Sequence, residues 1–503
     1  MLKSNYSRAT FILIGLFFMI NLFNINDYGI IWDEPFQRLV GQYNLEVVSS
    51  GFDNIKFPEN LLYYGPFFEI LNHFVSIFGF KILGLSYIAT NHLLGLLFSV
   101  IGLIFLFLLC FKLFNEKIGF YSIFLLVLFP VFIAHSHYNP KDIPLMVLSI
   151  ITIFFLYLAF TKKNYLYSIL AGIFFGFSLA TLVTSLMILP IFFMPYSLYL
   201  FFDLRIFSKR DIDYINRDLY LIGVFILSSL FFMFVSWPAL WHNPLLFFDS
   251  ILNFLNHDWS KFSVLYNGIT YSASSVPWHY SIFFLFISIP IFTLIFFFFG
   301  LYYIKKNFKN KFFEYSLLLS WFFIPLFVQF IPGTLKYDGF RHLFILLPSL
   351  VVISAFGLFF LIKNFFEKYQ FLVLLIIFIV IFSQLFSVHP YESSYVSEGF
   401  RLFSDDNIEK SFEIEYWGST YLEAINWLNI NAKQDSVVCV LIANDLVKFY
   451  DVRKDISFGC ENADYYMYFT RYAFLSNVNG VSGDIIFKIS RYDSDLLYIL
   501  GAN

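Results

Sequence analysis

Charge is what this 503-residue chain has least of: Asp, Glu, Lys and Arg together make up 13% of it, about half the usual share. The interiors of its longest apolar runs hold none of these residues. That excludes an ordinary water-soluble domain, because a 59% hydrophobic, 23% aromatic chain has nowhere to bury so much apolar surface except in lipid. Basic charge is not in excess either; a net charge of −3 excludes nucleic acid as a partner. Cysteine is scarce, with three residues and no metal-type spacing, and there is neither a Gly-rich phosphate loop nor a repeat array. What the chain has is phenylalanine, 74 residues of it, and long hydrophobic runs.

These runs predict a polytopic helical membrane protein with about eleven spans. They fall near 9–26, 87–111, 118–134, 143–160, 165–183, 185–202, 219–237, 281–303, 314–332, 343–362 and 370–388. The first lacks a small-residue cleavage site and is expected to be retained rather than cleaved as a signal peptide. Alternate connections carry the basic residues: Lys3 and Arg8, Lys112 and Lys117, Lys162 and Lys163, Arg205 to Arg217, Lys305 to Lys311, and Lys363 and Lys368. By the positive-inside rule this side, with the N-terminus, is cytoplasmic. An odd number of spans puts the tail outside. The expected division is a membrane domain over 1–388 and a small extracytoplasmic α/β domain over 389–503, with a helix near Tyr421–Asn431 and β-rich runs at Val437–Ile442 and Asp484–Ile489. Cys110 lies in an apolar span and reads as packing, whereas Cys439 and Cys460 share the exported tail, where a disulfide can persist.

The unusual polar groups gather on the outer side. Trp32-Asp33-Glu34-Pro35 follows the first span, and carboxylates at the edge of hydrocarbon are functional suspects. Pro35 also suits a first helical turn, so Asp33 or Glu34 could simply cap it. Glu69, Asn72, His73 and Ser76 form one polar stripe on an otherwise apolar helix. That stripe faces either water at the interface or a cavity shared with Asp33 and Glu34. The short connection His135-Ser136-His137-Tyr138-Asn139-Pro140-Lys141-Asp142 holds two imidazoles, a lysine and a carboxylate. His-x-His with a carboxylate can ligate a metal, or both rings can be solvated. Lys336-Tyr337-Asp338-Gly339-Phe340-Arg341-His342 precedes the tenth span. Arg341 there either snorkels into headgroups or forks onto a phosphate, with Lys336 as a supporting point charge. A reaction between a membrane-embedded lipid phosphate and a polar acceptor would need these parts: a base, cations for the departing phosphate, and helices that admit a prenyl tail.

The order of these motifs resembles the bacterial GT-C glycosyltransferases that use polyprenyl-phosphate sugar donors, relatives of the protein O-mannosyltransferases and the lipid A aminoarabinose transferase. The resemblance covers nearly the whole chain. It rests on Trp32-Asp33-Glu34-Pro35, Asn139 to Pro144, Trp237 to Pro244, Val276-Pro277-Trp278-His279-Tyr280, and Tyr337 to His342. In the tail, His389-Pro390-Tyr391-Glu392 and Glu415-Tyr416-Trp417-Gly418 look similar, although Glu415 stands where Asp is expected.

The resemblance implies a multi-pass inner-membrane glycosyltransferase that moves a hexose or pentose from a polyprenyl-phosphate carrier to a protein, lipid or polysaccharide of the cell envelope. Asp33, with Glu34 beside it, falls on the catalytic carboxylate, Asp142 on the acidic residue of the second outer loop, and Arg341 on the carrier-phosphate ligand. Lys141, Lys336 and His342 are further phosphate-binding candidates, and Glu69, His135 and His137 are candidate ligands for a divalent metal, zinc, manganese or magnesium. No organic cofactor is implied. A transporter or flippase of a lipid-linked sugar is the rival reading. Against it, the spans lack charges, the polar groups lie at one face, and no half of the chain is duplicated.

Overall fold

The computed structural model describes residues 4–502 except 53–54, 59, 204–208, 257–261, 403–407, 472–480, 482 and 493; Lys3 and Arg205 lie outside the described residues. The membrane part opens with α1 (Asn5–Phe23), whose N-cap Ser4 accepts from Ser7 N. Two helices of the first outer connection follow, α2 (Asp33–Ser50) and α3 (Phe67–Leu83). Next come α4 (Tyr87–Leu113), capped by Ser86, and α5 (Glu116–Val127), capped by Asn115. Then α6 (Pro130–Tyr138) is bent 72° from α5, because Pro130 has no N–H to continue the ladder. The chain goes on through α7 (Asp142–Lys162), α8 (Tyr165–Leu179), α9 (Ile188–Asp203) and α10 (Lys209–Ser236).

The third outer connection holds α11 (Ala239–His242), α12 (Leu246–Asn256) and an antiparallel hairpin, β1 (Ser263–Tyr266) with β2 (Ile269–Ser272). After it come α13 (Tyr280–Ser288), α14 (Ile291–Asn307), α15 (Phe312–Val328), α16 (Leu347–Leu361) and α17 (Gln370–Val388). Among the described residues, seven helical runs are long and apolar enough to cross a membrane, or up to eight if the bent α5–α6 pair is one span. The eleven expected segments overlap these runs, the bent pair and one shorter apolar helix, and do not form eleven separate helices. Ile291–Val328 and Arg341–Val388 are continuous helical runs that each overlap two of them, and Tyr165–Leu179 is apolar but short.

The tail forms a mixed sheet. It is built from β3 (Val437–Val440), β4 (Ser457–Phe458), β5 (Tyr465–Phe469), β6 (Gly483–Arg491) and β7 (Ser494–Ala502), in the order β4-β3-β5-β7-β6. The first three are parallel, and β7 runs antiparallel to both β5 and β6. Two helices precede the sheet, α18 (Glu398–Arg401) and α19 (Tyr421–Asn431). Tyr421, Ala424, Ile425 and Leu428 of α19 pack with Val438, Val440, Met467 and Phe469. The same core includes Ile30, Tyr266, Tyr280 and Phe284, so the sheet is seated on the outer connections. Cys439 and Cys460 form a disulfide across a separation of 21 residues. A crosslink of that span contributes about 3 kcal/mol. Chemical denaturation of the C439A/C460A double variant should show a loss of this size in the transition reporting on the sheet.

Candidate functional site

Helix α2 starts where expected, and its two carboxylates part company. Glu34 serves the backbone: its Oε1 accepts from Ile31 N at 3.0 Å and stands 3.4 Å from His92 Nε2. Asp33 makes no capping bond. Its Oδ2 accepts from Arg341 Nη2 at 2.7 Å and lies 3.5 Å from Lys141 Nζ.

Arg341 is the hub. A turn with Asp338 and Gly339 both at positive φ (55° and 60°) brings it inward; glycine adopts this conformation without steric cost, and Asp is one of the few side chains that tolerate it. Besides Asp33, the guanidinium donates from Nε to Asp142 Oδ2 at 3.1 Å and from Nη1 to Asp338 Oδ2 at 2.9 Å. Its carbon lies 4.9 Å from the centre of the Trp417 ring, and Trp417 Nε1 donates to Asp338 at 3.0 Å. Arg471, just past β5, adds a second guanidinium 3.1 Å from Asp338. Arg341 therefore does not snorkel; it is buried among three carboxylates.

The three differ in access. The Asp33 side chain is 30% exposed, against 7% for Asp142 and 3% for Asp338. Burial opposes ionisation of Asp33, but Lys141 and Arg341 outweigh it and hold its carboxyl well below the usual carboxylate range. Lys141 itself lies 4.5 Å over the Tyr64 ring. Its segment is shaped by Asn139, whose Oδ1 accepts from Lys141 N and Asp142 N and whose Nδ2 reaches Asp142 at 2.9 Å.

The other sequence candidates fall elsewhere. Lys336 is buried, with Nζ donating to Thr334 O at 3.1 Å; burial lowers its pKa. His342 packs edge-on to Tyr337. His135 and His137 are not in a solvated loop. Both lie on α6 and are buried, His135 between Phe344 and Trp417, and His137 stacked 3.9 Å from Tyr28 with Nε2 on Asn21. Glu69 belongs to α3, 4% exposed, so its stripe faces protein and not water. Among the described residues no three His, Cys, Asp or Glu stand close enough to hold a metal ion. The proposed ligands do not form one site: Glu69 and His137 border a cavity that Asp33 and Asp142 do not line, and the Asp33–Asp142 cluster already holds a guanidinium.

A second feature adjoins the first. Glu34, Arg38, Phe68, Glu69, Asn72, Asn91, Gly95, His137, Tyr138, Asn139 and Pro140 line a small cavity with room for about one water molecule. Its walls are set by close helix contacts. A Cβ on Gly41 would lie 2.6 Å from the Glu69 backbone, and one on Gly95 2.6 Å from Ser136 O. Burial pushes the Glu69 carboxyl up to about 8, against the opposing pull of the Asn72 amide and Arg38. A carboxyl raised in the folded state is destabilising wherever the unfolded chain has lost its proton and the folded chain has not, so stability falls as pH rises from about 4.5 to about 8. Glu69→Gln should flatten that decline and raise the melting temperature at pH 7, while leaving it little changed at pH 4.

The tail motifs have structural duties. Glu415 accepts from Trp417 N, Gly418 N, Ser419 N and Ser419 Oγ, which closes the turn before α19. Glu392 accepts from Tyr28 at 3.1 Å and pairs with His389 at 2.8 Å, tying the tail to the first outer connection. Sequence reasoning assigned no role to Asp338, Trp417, His92 or Arg471. Asp338 and Trp417 lie inside motifs it quoted; Arg471 had no local signal.

A family model described as dolichyl-phosphate-mannose-protein mannosyltransferase matches residues 69–237. No curated protein matches the sequence. Among solved structures, the Archaeoglobus fulgidus oligosaccharyltransferase tethered with an acceptor peptide aligns with 99% of this chain and 74% of its own at 12% identity, with a TM-score of 0.52. Its apo form aligns with 86% of this chain and 59% of its own at 14% identity and a TM-score of 0.51. The chain shares the fold of these oligosaccharyltransferase structures.

ArnT from Cupriavidus metallidurans bound to undecaprenyl phosphate is also similar, at 11% identity, 97% coverage of both chains and a TM-score of 0.49. A further structure of the archaeal enzyme is a complex with Zn and sulfate. The chain spans about three fifths of the length of the first oligosaccharyltransferase structures it matches. Its long apolar helical runs and small C-terminal sheet are those of a multi-pass membrane protein with an appended sheet domain.

Proposed function

We propose that this protein transfers a sugar from a polyprenyl-phosphate carrier to an acceptor hydroxyl or amine outside the inner membrane, with inversion at the anomeric carbon. One observation carries the reading: Arg341 is locked to two buried carboxylates and bridged to a third, Asp33, that is reachable. The carrier phosphate competes with Asp33 for Arg341 Nη2 and Lys141. Freed from them, Asp33 accepts the acceptor's proton as the acceptor atom attacks the anomeric carbon. The bond from that carbon to the phosphate oxygen breaks, and its electron pair stays on the phosphate, where Arg341 and Lys141 neutralise the growing charge. Asp142 and Asp338 keep the guanidinium aimed. The basic connections put this face, and the sheet domain over 389–503, on the extracytoplasmic side, with the N-terminus in the cytoplasm.

No step is routed through a divalent metal, since Glu69, His135 and His137 do not converge with Asp33 and Asp142. The test is sugar transfer by purified protein in detergent from radiolabelled polyprenyl-phosphate donors. Carrier-dependent transfer supports the reading. Movement of intact donor across liposomes without cleavage would replace it with the flippase reading.

A further inference from the structure

The tail reaches into the charged cluster through a residue that the transfer mechanism does not use. Arg471 follows β5, the strand between β3 and β7. Its neighbour Thr470 is fastened to β7, with N donating to Leu496 O and Oγ1 to Asp495 O, both at 2.9 Å. From this anchored strand end the Arg471 side chain, 8% exposed, enters the cluster. Nη1 donates to Tyr416 O at 2.8 Å, and Nη2 stands 3.1 Å from Asp338 Oδ1. The guanidinium carbon lies 5.9 Å from the centre of the Trp32 ring, next in sequence to Asp33.

Asp338 is therefore shared by two arginines, one on each oxygen. Oδ2 accepts from Arg341 Nη1 at 2.9 Å and from Trp417 Nε1 at 3.0 Å, while Oδ1 faces Arg471. Charge gives the second arginine its purpose. Before the tail, Asp33, Asp142 and Asp338 are paired with two cations, Arg341 and Lys141. Three carboxylates against two cations leave the cluster negative where a phosphate is to bind. Arg471 supplies the missing charge. A buried carboxylate whose field is unopposed repels an anion and holds back the guanidinium beside it, and both effects are strong where water is excluded.

The field of one other carboxyl, Glu413, also reaches Arg471. Glu413 is fully buried and accepts from Leu265 N at 3.2 Å. Burial pushes it up to about 7, so below that pH it is neutral and the Arg471 charge falls to Asp338. We infer that Arg471 is a positioning residue for sugar transfer: by neutralising Asp338 from the sheet side, it leaves the charge and Nη2 of Arg341 free for the carrier phosphate. The sheet domain is then a working part of the active site. This inference rests on the proposed transfer from a polyprenyl-phosphate sugar, with Arg341 as the phosphate ligand.

The measurement is binding of undecaprenyl phosphate to the full-length protein in detergent at about pH 6, where Glu413 is protonated. Arg471→Met should weaken binding about tenfold, the size of one uncompensated charge near a bound anion. Adding Asp338→Asn to Arg471→Met should restore affinity to within about threefold of wild type. The amide oxygen still serves Arg341 and Trp417, and the amide NH2 takes the side that Arg471 left. Arg471→Lys, which keeps the charge, should also stay within about threefold. Thermal unfolding of each preparation checks the fold. A merely structural Arg471 would shift the melting temperature and leave the carrier affinity of the folded protein unchanged. If Arg471→Met does not fold, the lysine and double variants decide by the same measurement. Unchanged affinity in folded Arg471→Met overturns the inference, as does a loss as large as tenfold in either of the other two. Failure of wild-type protein to bind undecaprenyl phosphate would instead overturn the proposed function.

Discussion

Arg341→Lys should lower sugar transfer about a hundredfold or more, even though the charge is kept. A lysine offers one compact ammonium on a flexible stem, so it cannot hold Asp142 and Asp338 and still present a planar fork to a phosphate. The loss arises in the transition state, where charge grows on the departing phosphate and a preorganised donor is worth two to three orders of magnitude. The same change should destabilise the fold, because Asp142, 7% exposed, would lose its bonded guanidinium and Asp338, 3% exposed, would keep only Arg471; breaking such a buried set costs about 3 kcal/mol or more. Rates with a radiolabelled donor and thermal unfolding of the same preparation check both halves. A variant with unchanged donor binding, turnover and melting temperature would return Arg341 to the role of a headgroup anchor.

Asp33→Asn should separate binding from turnover. The amide is nearly the same shape but cannot act as a base, so turnover falls by about a hundredfold or more. Binding of the bare carrier should improve, because the carboxylate that competes for Arg341 and Lys141 has been removed. This opposite movement of affinity and rate is the signature to look for; a fall in both would mean that Asp33 orders the cluster and does not compete with phosphate. The pH dependence follows from the same contacts. Arg341 and Lys141 hold the Asp33 carboxyl below the usual range, so its contribution to stability is complete above that range and is lost only as pH falls beneath it. Asp33→Asn should remove that acid-side dependence.

Much of this was legible without coordinates. In a chain with so little charge, a carboxylate or guanidinium at the end of an apolar run is conspicuous, and Asp33, Asp142 and Arg341 stood out for that reason. The α19 helix and the strands around Val437 and Ile485 followed local pattern and turned up where the pattern put them. The histidines show the opposite case. Two imidazoles before Asn139-Pro140 read as loop residues, but Phe344, Trp417 and Tyr28 cover them, and no property of residues 130–142 foretells those partners. Glu69 is similar. Its stripe was evident, and whether the stripe met water or protein depended on how α3 lay against α2.

Residue chemistry and spacing alone determined that the chain is helical with long membrane-spanning runs, and which charged residues are exceptional. Apolar length and charge placement are local quantities, and lipid acts on each span separately. The tertiary structure decided who meets whom. It joined Asp33, Asp142, Asp338 and Arg341 from segments up to 308 residues apart, brought Arg471 in from the tail, and divided Asp33 from Glu34 between a charged cluster and a polar cavity. Such pairings depend on how helices pack side by side, and packing is set by the shapes of all the faces together, which no single stretch of sequence contains.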